Sequence, residues 1–281
     1  MGWNWFKKKS NGELKKHKKV KLGVAFGGGG ARGIALIGCV RAFEELGVEV
    51  DYISGTSVGS IIGAALAFGK NSDFMEGAVK GLKTKDIRNS KLLWKPSYAK
   101  NIENLLLRVF EKDLVFSELK IPFTAVCTDL STGKEAHINS GSVAKAVSGS
   151  CAVPGVFTPV EYGEMLLVDG MLKNNVPADV ARNMGANVVI AIDLHENRGM
   201  GTMSTKLFPV LSSSLGVLLQ TNVEAKLKYA DLVITPDLDR FSATKIEEID
   251  AMIEVGYNAI MDRKDEIIDL LNRKPKKKKY E

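Results

Sequence analysis

Two glycine-rich turns, each placed directly after a short apolar run, constrain this chain more than any other feature. The first follows Val24-Ala25-Phe26 and reads Gly27-Gly28-Gly29-Gly30-Ala31-Arg32-Gly33. The second follows Tyr52-Ile53 and reads Ser54-Gly55-Thr56-Ser57-Val58-Gly59. Each turn leads into residues at helical spacing, Ile34–Leu46 and Ser60–Phe68. Strand, helix, strand, helix with short connections specifies a parallel sheet covered on both faces. The expected fold is therefore α/β, with three layers and a mostly parallel central sheet.

Further strands are expected at 20–26, 48–53, 121–127, 135–138, 164–168, 188–193 and 232–235. Further helices are expected at 143–150, 178–184 and 213–229, with one long amphipathic helix over 246–271. Residues 199–204 read as a flexible link. Residues 70–120 show amphipathic segments and no clear strand, which makes them a helical excursion from the sheet and a candidate cover for the site. One domain over 20–272, carrying that insertion, fits the pattern better than two domains.

Charge is unevenly placed. The net charge is +6, yet residues 1–21 hold eight lysines and one glutamate, and residues 273–281 hold one arginine, five lysines and one glutamate. The tails sum to +12 and leave residues 22–272 at −6. An acidic body argues against nucleic-acid binding, which needs basic residues along a face of the fold. Basic tails, 1–19 and 273–281, read either as solvated ends or as attachments to anionic lipid. Each lysine near such a surface contributes roughly 1 kcal/mol, and Trp3, Trp5 and Phe6 suit headgroup depth. No apolar run is long enough to span a bilayer, and the N-terminus lacks the apolar stretch of a signal peptide. The expectation is a cytoplasmic protein with peripheral contact to the inner face of the membrane. Cys39, Cys127 and Cys151 have neither metal-ligand nor disulfide spacing and read as buried thiols in a reducing compartment, so no metal is expected. No feature of the chain specifies an oligomeric state.

The second turn has the G-x-S-x-G form of a nucleophile elbow, in the strand-to-helix setting that the motif requires. Ser57 is then a candidate nucleophile, and a plain turn with an N-cap serine is the bland alternative. The first turn has two meanings. Gly28-x-Gly30-x-x-Gly33 matches a dinucleotide fingerprint, with Asp51 as the ribose-binding acid. Alternatively, the N–H groups of Gly28, Gly29 and Gly30 converge on an oxyanion beside Ser57, with Arg32 at the mouth fixing the loop or pairing with a lipid phosphate. The general base is open on residue grounds. His195 follows a strand and gives a Ser-Asp-His order, whereas His17 and His137 are poorly placed. Asp169 is a carboxylate candidate, with Asp51, Asp129 and Asp193 as rivals.

Together these blocks resemble the patatin-like phospholipases, the acyl hydrolases that include tuber patatin, cytosolic phospholipase A2 and the neuropathy target esterase group, and especially their small bacterial members. Gly28–Gly33 stands for the oxyanion loop, Gly55-Thr56-Ser57-Val58-Gly59 for the elbow, and Asp169-Gly170 for the aspartate-glycine step. Ser150-Cys151-Ala152-Val153-Pro154-Gly155-Val156-Phe157 and Asn174-Asn175-Val176-Pro177 match the segments before and after that step. The likeness covers roughly residues 20–196. It implies a cofactor-independent serine acyl hydrolase of fatty-acyl esters, working through an acyl-enzyme with Ser57 as nucleophile and Asp169 as base, and it leaves His195 a structural role. Met171 departs from the family, which has Gly or Ala there; its side chain either narrows the acyl pocket or points into the core.

Overall fold

The computed structural model describes residues 20–82, 99–194, 205, 210 and 223–273. Among the described residues, eight strands form one sheet: β1 (Leu22–Phe26), β2 (Tyr52–Thr56), β3 (Phe123–Asp129), β4 (Lys134–Ile138), β5 (Val160–Tyr162), β6 (Met165–Asp169), β7 (Val188–Ile192) and β8 (Leu232–Ile234). The order is β5-β6-β3-β2-β1-β7-β8, with β4 also paired to β3. Strands β3, β2, β1, β7 and β8 run parallel, while β4, β5 and β6 add antiparallel partners at the β3 end.

Alternation along β1 and β7 sorts the two faces of the sheet. Leu22, Val24, Phe26, Val188, Ile190 and Ile192 enter the larger core. That face is covered by α1 (Ala35–Glu45), α2 (Val58–Phe68), α5 (Val143–Ser150), α7 (Ile249–Met261) and α8 (Lys264–Asn272). Ala25, Val189 and Ala191 face a second cluster with Ala178 and Ala181 of α6 (Ala178–Asn183) and with Val223. The insertion supplies α3 (Ser72–Lys80) and α4 (Lys100–Phe110). Helix α3 is tied to the C-terminal half of α1 by Ser72 to Glu44 and by Arg41 to Glu76, so it lies away from Ser57 rather than over it.

The structure shifts several expected boundaries. Strand β2 runs on through Ser54 and Thr56, two buried polar positions that hide it from hydrophobic patterning. Their hydroxyls donate to the carbonyls of Pro177 and Asn174, each at 2.7 Å, which makes their burial tolerable. The expected helix over 246–271 is two helices, interrupted at Asp262-Arg263, so that Ile267 and Leu270 can turn into the core. Strand β5, three residues long after Pro159, lacks the length to show a pattern. Of the helix expected over 213–229, residues 223–227 are helical and 211–222 lie outside the described residues. The tails at 1–19 and 274–281, the 199–204 link and residues 83–98 of the insertion also lie outside them. The chain enters β1, an interior strand of the sheet, at the strand end opposite Ser57.

Helices α1 and α7 cross antiparallel at backbone contact. A side chain at Gly38 would collide with the Ile253 carbonyl, and one at Gly256 with the Ala35 carbonyl. The closeness lets Cys39 Sγ reach the Gly256 carbonyl at 3.3 Å. Gly38→Ala or Gly256→Ala should therefore force the helices apart and lower stability by about 3 kcal/mol, the upper end for overpacking. Urea unfolding should show a reduced midpoint with an unchanged m-value. A midpoint equal to wild type would mean that the crossing yields without strain.

Candidate active site

Register along β3 brings the site together. Strand β4 occupies one edge of β3 from Ala125 to Asp129. Both β2, which ends with Thr56 opposite Val126, and β6, which ends with Asp169 opposite Cys127, must share the other edge. The two strands approach from opposite directions and meet tip to tip. Ser57 leaves one tip and Asp169 is the last residue of the other.

The elbow at Ser57 is strained, with φ 53° and ψ −128°. A non-glycine residue with positive φ is held there only by its surroundings. Those surroundings are explicit. The Ser57 N–H donates to Ser150 Oγ at 2.9 Å, and the Ser57 carbonyl accepts from Ser60 N at 2.8 Å and Ser60 Oγ at 2.6 Å. Gly55 and Gly59 lie against each other, and Gly59 also abuts the Phe26 carbonyl, so a side chain on either would push the turn open. The hydroxyl sits at the N-terminus of α2, where the helix dipole favours negative charge.

Asp169 is fully buried. Burial pushes its carboxyl up from the usual 3.8 to about 7, against the opposing effects of the Met171 N–H and the neighbouring Ser57 hydroxyl. Oδ1 accepts the Met171 N–H at 2.9 Å, while Oδ2 has no partner within hydrogen-bond geometry. The rival carboxylates are engaged or distant. Asp129 closes the β3–β4 turn through Ser131, Thr132 and Leu166. Asp51 precedes β2 and accepts the Leu22 N–H at 2.9 Å, at the far end of the strand from the glycine loop. That position also removes it as a ribose ligand for a nucleotide on Gly28–Gly33. Asp193 follows β7, separated from the β2 tip by β1. Among the histidines, His137 Nε2 faces Glu135 at 2.5 Å, and His17 and His195 lie outside the described residues.

The glycine loop is tethered on two sides. The Gly28 N–H donates to the Asn175 carbonyl at 3.0 Å, which directs it away from a substrate oxygen. Among the described residues, the N–H groups of Gly29 and Gly30 have no backbone partner. On the other side, the Ala31 N–H donates to the Ala243 carbonyl at 2.8 Å. Arg32 donates through Nε to the Phe241 carbonyl at 3.0 Å and through its guanidinium to that of Asp239 at 3.4 Å. Of the two roles open to Arg32, the structure thus displays the one that fixes the loop.

A charged network supports the site from behind. Lys226 Nζ reaches Glu135 at 2.9 Å and Asp179 at 2.5 Å, and Asn174 Nδ2 donates to the same two carboxylates at 2.7 and 2.8 Å. Two acceptors fix which end of the Asn174 amide carries nitrogen. The Asn174 carbonyl takes the Thr56 hydroxyl, so the network ends one residue from Ser57. Glu135 is held at about 2 against its own burial by His137, Asn174 and Lys226. Lys226→Met should destabilise the protein by about 2 kcal/mol, less than a deeply buried pair because Lys226 keeps 24% exposure. The gap from wild type should be full above pH 4.5 and shrink as the pH falls toward 2, as Glu135 takes up its proton. Thermal unfolding at pH 7 and pH 3 measures it, and an equal gap at both would overturn this account.

Two surface cavities, of about 370 and 390 Å³, lie beside the C-terminal half of α1, and neither touches Ser57 or Asp169. Among the described residues no cluster of His, Cys, Asp and Glu could hold a metal, and no helix is long and apolar enough to cross a membrane. The sequence profile described as patatin-like phospholipase matches residues 24–182. The chain belongs to the patatin-like phospholipase family. Its relatives within the family include the mouse patatin-like phospholipase domain-containing protein 7, 30% identical over 84% of this chain and 20% of that protein. An uncharacterized NTE family protein of Mycobacterium tuberculosis is 30% identical over 85% of this chain and 45% of its own length. The chain thus spans less than half of either relative. Among solved structures, VipD from Legionella pneumophila superposes with a TM-score of 0.63 at 14% identity, covering 90% of this chain and 67% of that one. Human GIVD cytosolic phospholipase A2 gives 0.53 at 10% identity, covering 90% and 60%. At these identities the two structures bear on the patatin-like fold alone, which this chain shares.

Around the β2 tip, Gly55–Gly59 meets the Gly28–Gly33 loop and Ser150, Asp169-Gly170 bonds to Ala152 and Asn174, and Asn175 bonds to Gly28. Ser150 and Ser60 carry no label in sequence as supports of Ser57. The segment 239–243 and Lys226 lie beyond the matched residues, and only long-range contacts reveal them.

Proposed function

We infer that the protein is a serine acyl hydrolase of the patatin-like class, cleaving fatty-acyl esters through a covalent acyl-enzyme. The observation that carries this reading is the tip-to-tip meeting of β2 and β6 on β3, which sets a strained serine beside a fully buried carboxyl. Asp169, when ionised, takes the proton from Ser57 Oγ as that oxygen bonds to the ester carbonyl carbon. The N–H groups of Gly29 and Gly30 receive the resulting oxyanion, and the Gly28 N–H, bound to Asn175, anchors the loop that presents them. Collapse breaks the ester C–O bond, and the proton on Asp169 passes to the leaving alkoxide oxygen to release the alcohol. Water then attacks the acyl-enzyme, giving its proton to Asp169, and collapse returns that proton to Ser57 with release of the fatty acid.

Membership of the family supports a lipid acyl ester as substrate, with phospholipid or lysophospholipid as the expected class. The basic tails remain our assignment for contact with anionic membrane. Hydrolysis of p-nitrophenyl butyrate tests the chemistry, together with labelling of Ser57 by a fluorophosphonate. Liposomal phosphatidylcholine and lysophosphatidylcholine test the substrate class. Absence of both ester turnover and Ser57 labelling would exclude this function.

A further inference from the structure

The end of α5 touches both halves of the site at once. Strand β2 pairs with β3 as far as Thr56 opposite Val126, and at Ser57 the chain turns out of the sheet. The next rung of the ladder is completed by a side chain. Ser150 Oγ accepts the Ser57 N–H at 2.9 Å and donates to the Val126 carbonyl at 2.6 Å. Two residues later, the Ala152 carbonyl accepts the Asp169 N–H at 3.0 Å. Ser150 is fully buried, so no water can replace it without rearrangement.

We propose that Ser150 is a positioning residue for the nucleophile, and that Ser150-Cys151-Ala152 sets the separation between Ser57 and Asp169. This rests on the reading of those two residues as the catalytic pair. A strained elbow returns to relaxed backbone angles once its hydrogen bonds are removed. Ser150→Ala would leave a buried donor on Ser57 and a buried acceptor on Val126. The hydroxyl of Ser57 would then move relative to Asp169, and a misplacement near 1 Å lowers a rate by about 100-fold. Substrate binding, which does not use Ser150, would be preserved.

Steady-state hydrolysis of p-nitrophenyl butyrate against pH tests this in the full-length protein. Ser150→Ala and Ser150→Cys should lower kcat by roughly ten- to a hundredfold with KM within about twofold of wild type. The acidic limb of kcat should move to higher pH, because Asp169 loses the Ser57 hydroxyl that favours its charged form. Ser150→Thr, which keeps the hydroxyl, should recover most of the rate. Ser148→Ala is the control: from the same buried helix Ser148 donates to the Ala99 carbonyl at 2.7 Å, a bond that involves neither Ser57 nor Asp169. It should keep wild-type kcat and pH limb. If Ser150→Ala does not accumulate as folded protein, the contrast between the Cys and Thr variants decides. Wild-type kcat in Ser150→Cys, or an equal fall in Ser148→Ala, would overturn the proposal while leaving Ser57 labelling intact. A wild-type protein that neither hydrolyses the ester nor labels at Ser57 overturns the catalytic reading and this proposal together.

Discussion

Ser57→Ala and Asp169→Asn are each expected to lower kcat/KM for an activated ester by about 10³-fold or more while the protein stays folded. The size follows from the proposed roles. As the proposed nucleophile Ser57 would form and break the covalent bond, so its removal would leave only water attack at the proposed oxyanion donors. Among the described residues, Asp169 is the carboxyl that the β3 register places at the elbow, so its removal takes away the proposed acceptor of the Ser57 proton. Residues that act as one unit are non-additive, and the double variant should be no slower than the worse single variant. Fluorophosphonate labelling separates the two roles: it should vanish in Ser57→Ala and slow strongly in Asp169→Asn. Retention of a tenth of wild-type turnover by Ser57→Ala would remove the mechanism. His195→Ala should stay within a fewfold of wild type, and a loss matching that of Ser57→Ala would restore the triad.

What could be read from the residues alone was local. The parallel β–α units around Gly27–Gly33 and Ser54–Gly59 were legible because large aliphatic runs end at glycine turns and helical spacing begins. The extent of β2 was not, because Ser54 and Thr56 are buried polar residues whose partners, Pro177 and Asn174, lie more than a hundred positions away. The choice among Asp51, Asp129, Asp169 and Asp193 was equally closed to inspection of strand ends. It depends on which strand shares an edge of β3 with β2, and that is a property of register. Family resemblance pointed to Asp169, and the packing supplies a physical reason for the preference. The Gly28 N–H, expected beside the oxyanion, instead binds Asn175, a long-range contact that a run of four glycines cannot disclose. Ser150 looked like the last residue of an ordinary helix, since nothing in its spacing signals that its hydroxyl completes a β-ladder.

Asp169→Asn is also expected to stabilise the fold at neutral and alkaline pH. The carboxyl lies near 7 in the folded protein and near 3.8 when unfolded. Between those values the folded state keeps a proton that the unfolded state has released, so stability falls as the pH rises through this window and levels off above 7. At about 1.4 kcal/mol per pKa unit, the penalty above pH 7 approaches about 4 kcal/mol. Asparagine removes the buried charge and keeps an oxygen for the Met171 N–H, while its amide nitrogen meets a buried position where Oδ2 now has no partner. That unpaired amide offsets part of the gain, so an increase of about 2 kcal/mol is expected at pH 8, and much less at pH 5. Urea unfolding of both proteins at the two pH values measures it. A variant less stable than wild type at pH 8, or a difference that does not change with pH, would show that burial does not hold this carboxyl up. Under the proposed mechanism the same ionisation governs the rate, because only the charged carboxylate can accept the Ser57 proton. Activity should rise along a limb centred near pH 7, in the window where the fold loses stability. In the proposed mechanism the base for Ser57 is thus a destabilising charge, at the end of a strand fixed by the β3 register and by the Asp169 N–H bond to the Ala152 carbonyl.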